Sequence, residues 1–83
     1  MLFIFEEPTR TSFWMRGTPV PLSIAFWDDG GRIVDILDMR PCRTEACPLY
    51  TPRSDYVAAA EMQRGWFGEH GVEVGDAVEL RLE

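Results

Sequence analysis

Leu22-Ser23-Ile24-Ala25-Phe26-Trp27, Asp28-Asp29-Gly30-Gly31 and Arg32-Ile33-Val34-Asp35-Ile36-Leu37-Asp38-Met39 form the stretch that decides the fold. Two short apolar runs flank a tetrad whose glycines accept positive φ and whose aspartates cap their own backbone, which is the chemistry of a tight hairpin. Residues 22–27 and 32–39 are therefore expected to be antiparallel neighbours. Working outward, residues 2–5, 11–16, 56–62 and 77–82 also read as strands separated by turn residues. The last alternates most cleanly, with Val78, Leu80 and Leu82 on one face and Glu79, Arg81 and Glu83 on the other.

Between these runs the punctuation is informative. Pro19 and Pro21 lack amide donors at alternate positions, so residues 18–21 read as an edge or a crossing loop. Residues 40–55 carry Pro41, Pro48, Pro52 and both cysteines, and form the longest irregular stretch. One short helix is expected near residues 64–70, stopped by Gly71. The expected class is mostly β (α+β): a small, mainly antiparallel, partly closed barrel or sandwich of about six strands with that helix.

A chain of 83 residues, 46% of them hydrophobic, supports one hydrophobic core, so residues 1–83 read as a single domain. Eight basic residues, all arginine, face fourteen acidic ones, for a formal net charge of −6. That balance argues against a polyanionic partner, whether nucleic acid or an anionic membrane surface, because both are bound by basic stripes. No apolar run approaches the ~20 residues of a membrane span, and as written the chain reads as cytoplasmic.

Cys42 and Cys47 have four residues between them, not the two usual in metal and redox motifs. The chain adds one histidine, His70, on a distant segment, so no metal site and no cofactor are expected. A disulfide suits the pair better: closing so short a loop is worth about 2 kcal/mol in the chain-entropy account, although a reducing cytosol would leave two thiols. His70 stands at the expected helix end, where an imidazole serves terminal carbonyls.

The candidate binding surface lies elsewhere. With Phe13 and Met15 inward, strand alternation turns Trp14 and Arg16 outward together, an indole and a guanidinium of the kind found at binding hot spots. The competing reading covers Trp14 with the 40–55 loop and pairs Arg16 with a carboxylate. Arg10, Trp14, Arg16, Thr18, Cys42, Cys47 and Tyr50 are the candidate binding residues. Carboxylates such as Glu7 and Asp38 offer acid–base chemistry beside Arg10 or Arg16, but no spacing selects a pair. No phosphate-binding glycine loop, nucleophile elbow or HExxH motif is present.

The order Phe13-Trp14-Met15-Arg16-Gly17-Thr18, Pro21-Leu22, Ile24-Ala25-Phe26, Gly31-Arg32-Ile33-Val34, Met39-Arg40-Pro41-Cys42, Cys47-Pro48-Leu49-Tyr50, Gly65-Trp66-Phe67 and Gly71-Val72 through Gly75-Asp76 resembles the uncharacterised family called domain of unknown function 192. The resemblance spans nearly the whole chain. It departs at Arg16-Gly17, where the family usually carries lysine-asparagine, and at Ser23, where it usually carries aspartate. It implies a compact antiparallel β domain with a short helix, and it implies no reaction, cofactor or catalytic residue. It also implies an upstream segment, often with a secretory leader, which would place the domain outside the cytoplasm.

Three functions follow as expectations. The first is a non-catalytic binding or accessory module for a small molecule or protein, with its surface on residues 14–18 and 42–50. The second is a small enzyme using a carboxylate beside an arginine. The third is a structural or oligomerising domain that associates through an unpaired strand edge.

Overall fold

The computed structural model describes residues 1–79. Four strands, β1 (Leu2–Thr9), β2 (Leu22–Trp27), β3 (Ile33–Met39) and β4 (Tyr56–Gln63), form one antiparallel sheet in the order β1-β4-β2-β3, followed by a single helical turn, α1 (Trp66–Glu69). β2 is hydrogen-bonded on both sides, and every residue from Ser23 to Trp27 is buried. The buried Ser23 hydroxyl donates to Asp38 Oδ1 at 2.7 Å and accepts the Gly65 amide at 3.0 Å, so the one polar side chain of the central strand is satisfied.

The hairpin forms where the Asp-Asp-Gly-Gly tetrad places it. Asp28 Oδ1 accepts the amides of Gly30 and Arg32, each at 3.0 Å, and Gly31 turns the chain at φ 79°. A Cβ on Gly31 would meet the Val78 carbonyl oxygen at 3.0 Å, so both its conformation and its neighbour demand glycine. Past the turn the register slips between Phe26 and Trp27, which leaves Val34 without a partner in β2.

The alanines of β4 explain how the sheet is packed. Ala58 lies between Ile4 and Trp27, and Ala59 between Phe3 and Phe26, so small residues in one strand make room for large ones in its neighbours. One face of the sheet carries Ile24, Phe26 and Ala59, packed with Met15, Met39 and Tyr56. The other carries Trp27, Ile33 and Ala58, packed with Val72 and Val78. The first face is covered by irregular chain that brings Phe13, Cys42 and Tyr50 against it.

The class is mostly β and antiparallel, as expected, with four strands among the described residues in place of about six. Among the described residues the sheet is open, with β1 and β3 at its edges, and neither closes into a barrel nor meets a second sheet. Residues 11–16 do not form a strand. They touch residues 42–50 at isolated bridges, Phe13 with Tyr50 and Arg16 with Cys42, because Pro41 and Pro48 cannot donate to a continuous ladder. At the other end, Ala77 bridges Arg32, and the Leu80–Leu82 part of the expected last strand lies outside the described residues. The helix is shorter than expected. It starts after Gly65 at φ 85° and stops before Gly71 at φ 69°.

Tyr56 ties the sheet to the irregular cover: its hydroxyl donates to the Thr11 carbonyl at 2.7 Å and its ring packs edge-on against Phe5 and Phe26. Tyr56→Phe should cost about 1–2 kcal/mol, read by urea denaturation, since the Thr11 carbonyl loses its donor. Burial raises the Tyr56 phenol above its ordinary value of 10.0. The unfolded chain therefore releases this proton first, and stability should fall as pH rises past that value, with a shallower alkaline slope in Tyr56→Phe.

Candidate functional site

Phe13 positions the site. Its backbone exchanges two hydrogen bonds with Tyr50, at 2.9 and 2.7 Å, and its ring packs edge-on against Phe3 at 4.9 Å and Phe26 at 5.8 Å between centroids. Met15 is buried and Phe13 half-buried, so the residues between and beyond them turn to solvent. Trp14 is 53% exposed, and the Arg16 guanidinium stands over its ring at 5.8 Å from the centroid. This is a cation–π arrangement on an open surface.

The second wall is the 42–50 loop. Arg16 bridges Cys42 in parallel pairing, and the Gly17 amide donates to the Cys42 carbonyl at 3.2 Å. The sulfurs of Cys42 and Cys47 lie at disulfide-bonding distance, with Cα atoms 5.8 Å apart. Within that closed loop Glu45 reaches Arg16 at 3.9 Å, and the two side chains are 93% and 49% exposed, respectively. Such a contact is worth little in water. The Tyr50 hydroxyl accepts the Arg40 amide at 3.1 Å, which fixes the point where β3 hands over to the loop. Leu49, beside Tyr50, is 67% exposed.

Of the candidate binding residues, Trp14, Arg16, Cys42, Cys47 and Tyr50 are therefore drawn into one neighbourhood. Thr18 stands beside them through its amide, which donates to the Met15 carbonyl at 3.0 Å. Arg10 is placed differently: its guanidinium donates to the Pro52 carbonyl at 2.9 Å and acts as a brace for the loop. Two residues that the sequence reading did not single out complete the arrangement. One is Glu45, and the other is Asp35, buried to 3% exposure, which meets the Arg53 guanidinium at 3.0 Å and accepts the Arg53 amide at 3.0 Å. Asp35 and Arg53 anchor the far end of the irregular stretch on β3. A lone aspartate among Ile33, Val34, Ile36 and Leu37 was the available signal.

The carboxylates considered for catalysis are placed otherwise. Among the described residues, Glu7 and Asp38 form no ion pair with Arg10 or Arg16, and Asp38 accepts the Ser23 hydroxyl instead. Burial raises the Glu61 carboxyl above its usual range, but Glu61 belongs to β4 and lies outside the Trp14 neighbourhood. Among the described residues no three His, Cys, Asp or Glu side chains gather as a metal site. His70 stacks on Trp66 at 4.0 Å, with Nδ1 2.8 Å from the Trp66 carbonyl, a helix-end contact. A separate cleft of about 290 Å³ lies on the other face of the sheet, lined by apolar residues that include Trp27, Trp66 and Phe67, with Asp76 at its rim.

The sequence profile of the DUF192 family, described as Uncharacterized ACR, matches residues 1–80. No curated protein matches the chain. Among solved structures, it is similar to a protein of unknown function from Novosphingobium aromaticivorans, at 28% identity and a TM-score of 0.85, covering 96% of this chain and 56% of that one. It is also similar to a "putative transcription regulator" from Sinorhizobium meliloti, at 31% identity and a TM-score of 0.79, covering 95% of this chain and 60% of that one. The chain thus spans less than two thirds of either solved chain.

The loop's covalent closure is testable. Replacing Cys42 and Cys47 together by serine should lower stability by about 2 kcal/mol, read by denaturation of the oxidised protein, while the β-sheet circular dichroism is retained.

Proposed function

The chain belongs to the DUF192 family, and we propose that it acts as a non-catalytic binding or accessory module whose contact surface is built from residues 14–18 and the 42–50 loop. The observation that carries this reading is the exposed indole of Trp14 with the Arg16 guanidinium over it, held from beneath by the half-buried Phe13 and the buried Met15. Indole and guanidinium side chains dominate binding energetics where a rigid support holds them in place. Here the support is a bridge on each wall and a closed loop.

The ligand is a small molecule or a protein. DNA is disfavoured by the net charge of −6, despite the description of the Sinorhizobium protein as a regulator. No helix among the described residues is long and apolar enough to cross a membrane. The paired cysteines favour an oxidising, extracytoplasmic setting over the cytoplasm. A catalytic reading has less support, since neither Glu7 nor Asp38 meets an arginine.

Association through the edge strand is the second reading, favoured by the outer side of β1, which pairs with no strand among the described residues, and by the exposed Leu2 and Ile4. Sedimentation decides it: a dimer that Ile4→Lys dissolves supports the edge, and a monomer at high concentration removes it.

For the principal reading, a library of fragments and short peptides should be screened by amide chemical shifts of the labelled protein. Hits should move the amides of residues 14–18 and 42–50. Hits confined to the cleft around Trp27 and Trp66, or no hits at all, would overturn it.

A further inference from the structure

The charge of this molecule is unevenly distributed, and the folding of the irregular segments concentrates it. Residues 11–18 and 40–50 carry three arginines (Arg16, Arg40 and Arg43) and one carboxylate, Glu45, for a net +2. The rest of the chain, Arg10 included, carries five arginines and thirteen carboxylates, for a net −8. The Phe13–Tyr50 and Arg16–Cys42 bridges bring these two segments side by side. Two paired segments with an excess of arginine therefore stand on an acidic protein, and they carry the exposed Trp14 and Leu49.

Glu45 shows what this face accepts. Its carboxylate stands 3.9 Å from Arg16, too far for a hydrogen bond, and leaves unused a planar fork that takes a carboxylate through two parallel bonds. The guanidinium is oriented by the Trp14 ring, so an incoming carboxylate meets an apolar surface beside its cationic partner. Among the described residues neither the Arg40 nor the Arg43 side chain is engaged in an ion pair, so both remain for further carboxylates.

Resting on the binding-module reading above, we propose that this face binds an acidic peptide segment of a partner protein, in which carboxylates flank an apolar side chain. The carboxylates address Arg16 and its neighbours, the apolar side chain lies against Trp14 and Leu49, and Glu45 is the intramolecular group that the ligand displaces. The net −8 of the rest of the chain selects for a short acidic segment over a long polyanion, which would be repelled beyond the patch.

The test uses capped peptides in which aspartate and glutamate surround a phenylalanine, the same peptides with asparagine and glutamine, and single-stranded oligothymidylate as the nucleic-acid probe. Binding is read by tryptophan fluorescence and by amide shifts. The acidic peptide should move the amides of residues 14–18 and 42–50 and bind at least about tenfold more tightly than its neutral counterpart, the size expected for one charge-assisted contact. Arg16→Gln should weaken it by about tenfold, Trp14→Ala should weaken both peptides, and Glu45→Gln should tighten the acidic one several-fold. Equal binding of the neutral peptide at the same amides would overturn the acidic class and leave the surface standing. Shifts elsewhere, or none with either peptide, would overturn both readings. Tighter binding of oligothymidylate would replace the peptide by nucleic acid.

Discussion

The ring of Phe13 fastens the candidate site to the sheet. It lies against Phe3 and Phe26 on the core face while its backbone is clamped to Tyr50, so one residue joins β1, β2 and the cysteine-bearing loop. Everything outward of it follows from sterics: with Phe13 and Met15 pointing in, Trp14 and Arg16 point out. Without that anchor, residues 10–18 would be a loop with no fixed face, and an exposed tryptophan would be an accident of sequence. The bulk of Phe13 and Phe26 is tolerated because Ala59 sits between the strands that carry Phe3 and Phe26.

The hairpin of β2 and β3 was legible because its signal is local: the aspartate cap and the positive-φ glycine lie within the turn itself. The alternation that turns Trp14 outward was legible for the same reason. Residues 11–16 carry the pattern of a strand, but pattern fixes only which way side chains face. Whether neighbours supply a ladder depends on distant chain, and here the partner is a loop carrying Pro41 and Pro48. The same limit hid Glu45 and Asp35, whose partners Arg16 and Arg53 lie on other segments. A barrel or sandwich was expected from strand spacing, which cannot tell a second sheet from irregular cover over the first.

Asp35 and the Cys42–Cys47 pair hold the irregular stretch in complementary ways. Asp35 is buried, and its oxygens accept the Ile36 amide, the Arg53 amide and the Arg53 guanidinium, which satisfies a charge that would otherwise be costly at that depth. Arg53 keeps much of its own surface in water and so loses little hydration in the exchange. The cysteine pair closes the near end of the same stretch. Between those two fixings and the Tyr50 bridge, a proline-rich segment with almost no regular hydrogen bonding is held in one place. Charge is thereby positioned by chain that is not itself secondary structure.

The outer side of β1, unpaired among the described residues, bears on how the molecule meets other chains. Glu6, Glu7 and Pro8 occupy the second half of that strand, where two like charges and a missing amide hydrogen stop any extended chain from zippering along its full length. The first half, with Leu2 and Ile4 open to water, has no such guard. Any pairing of extended polypeptide with this strand should therefore start at those few apolar residues and be opposed by the acidic, proline-bearing half.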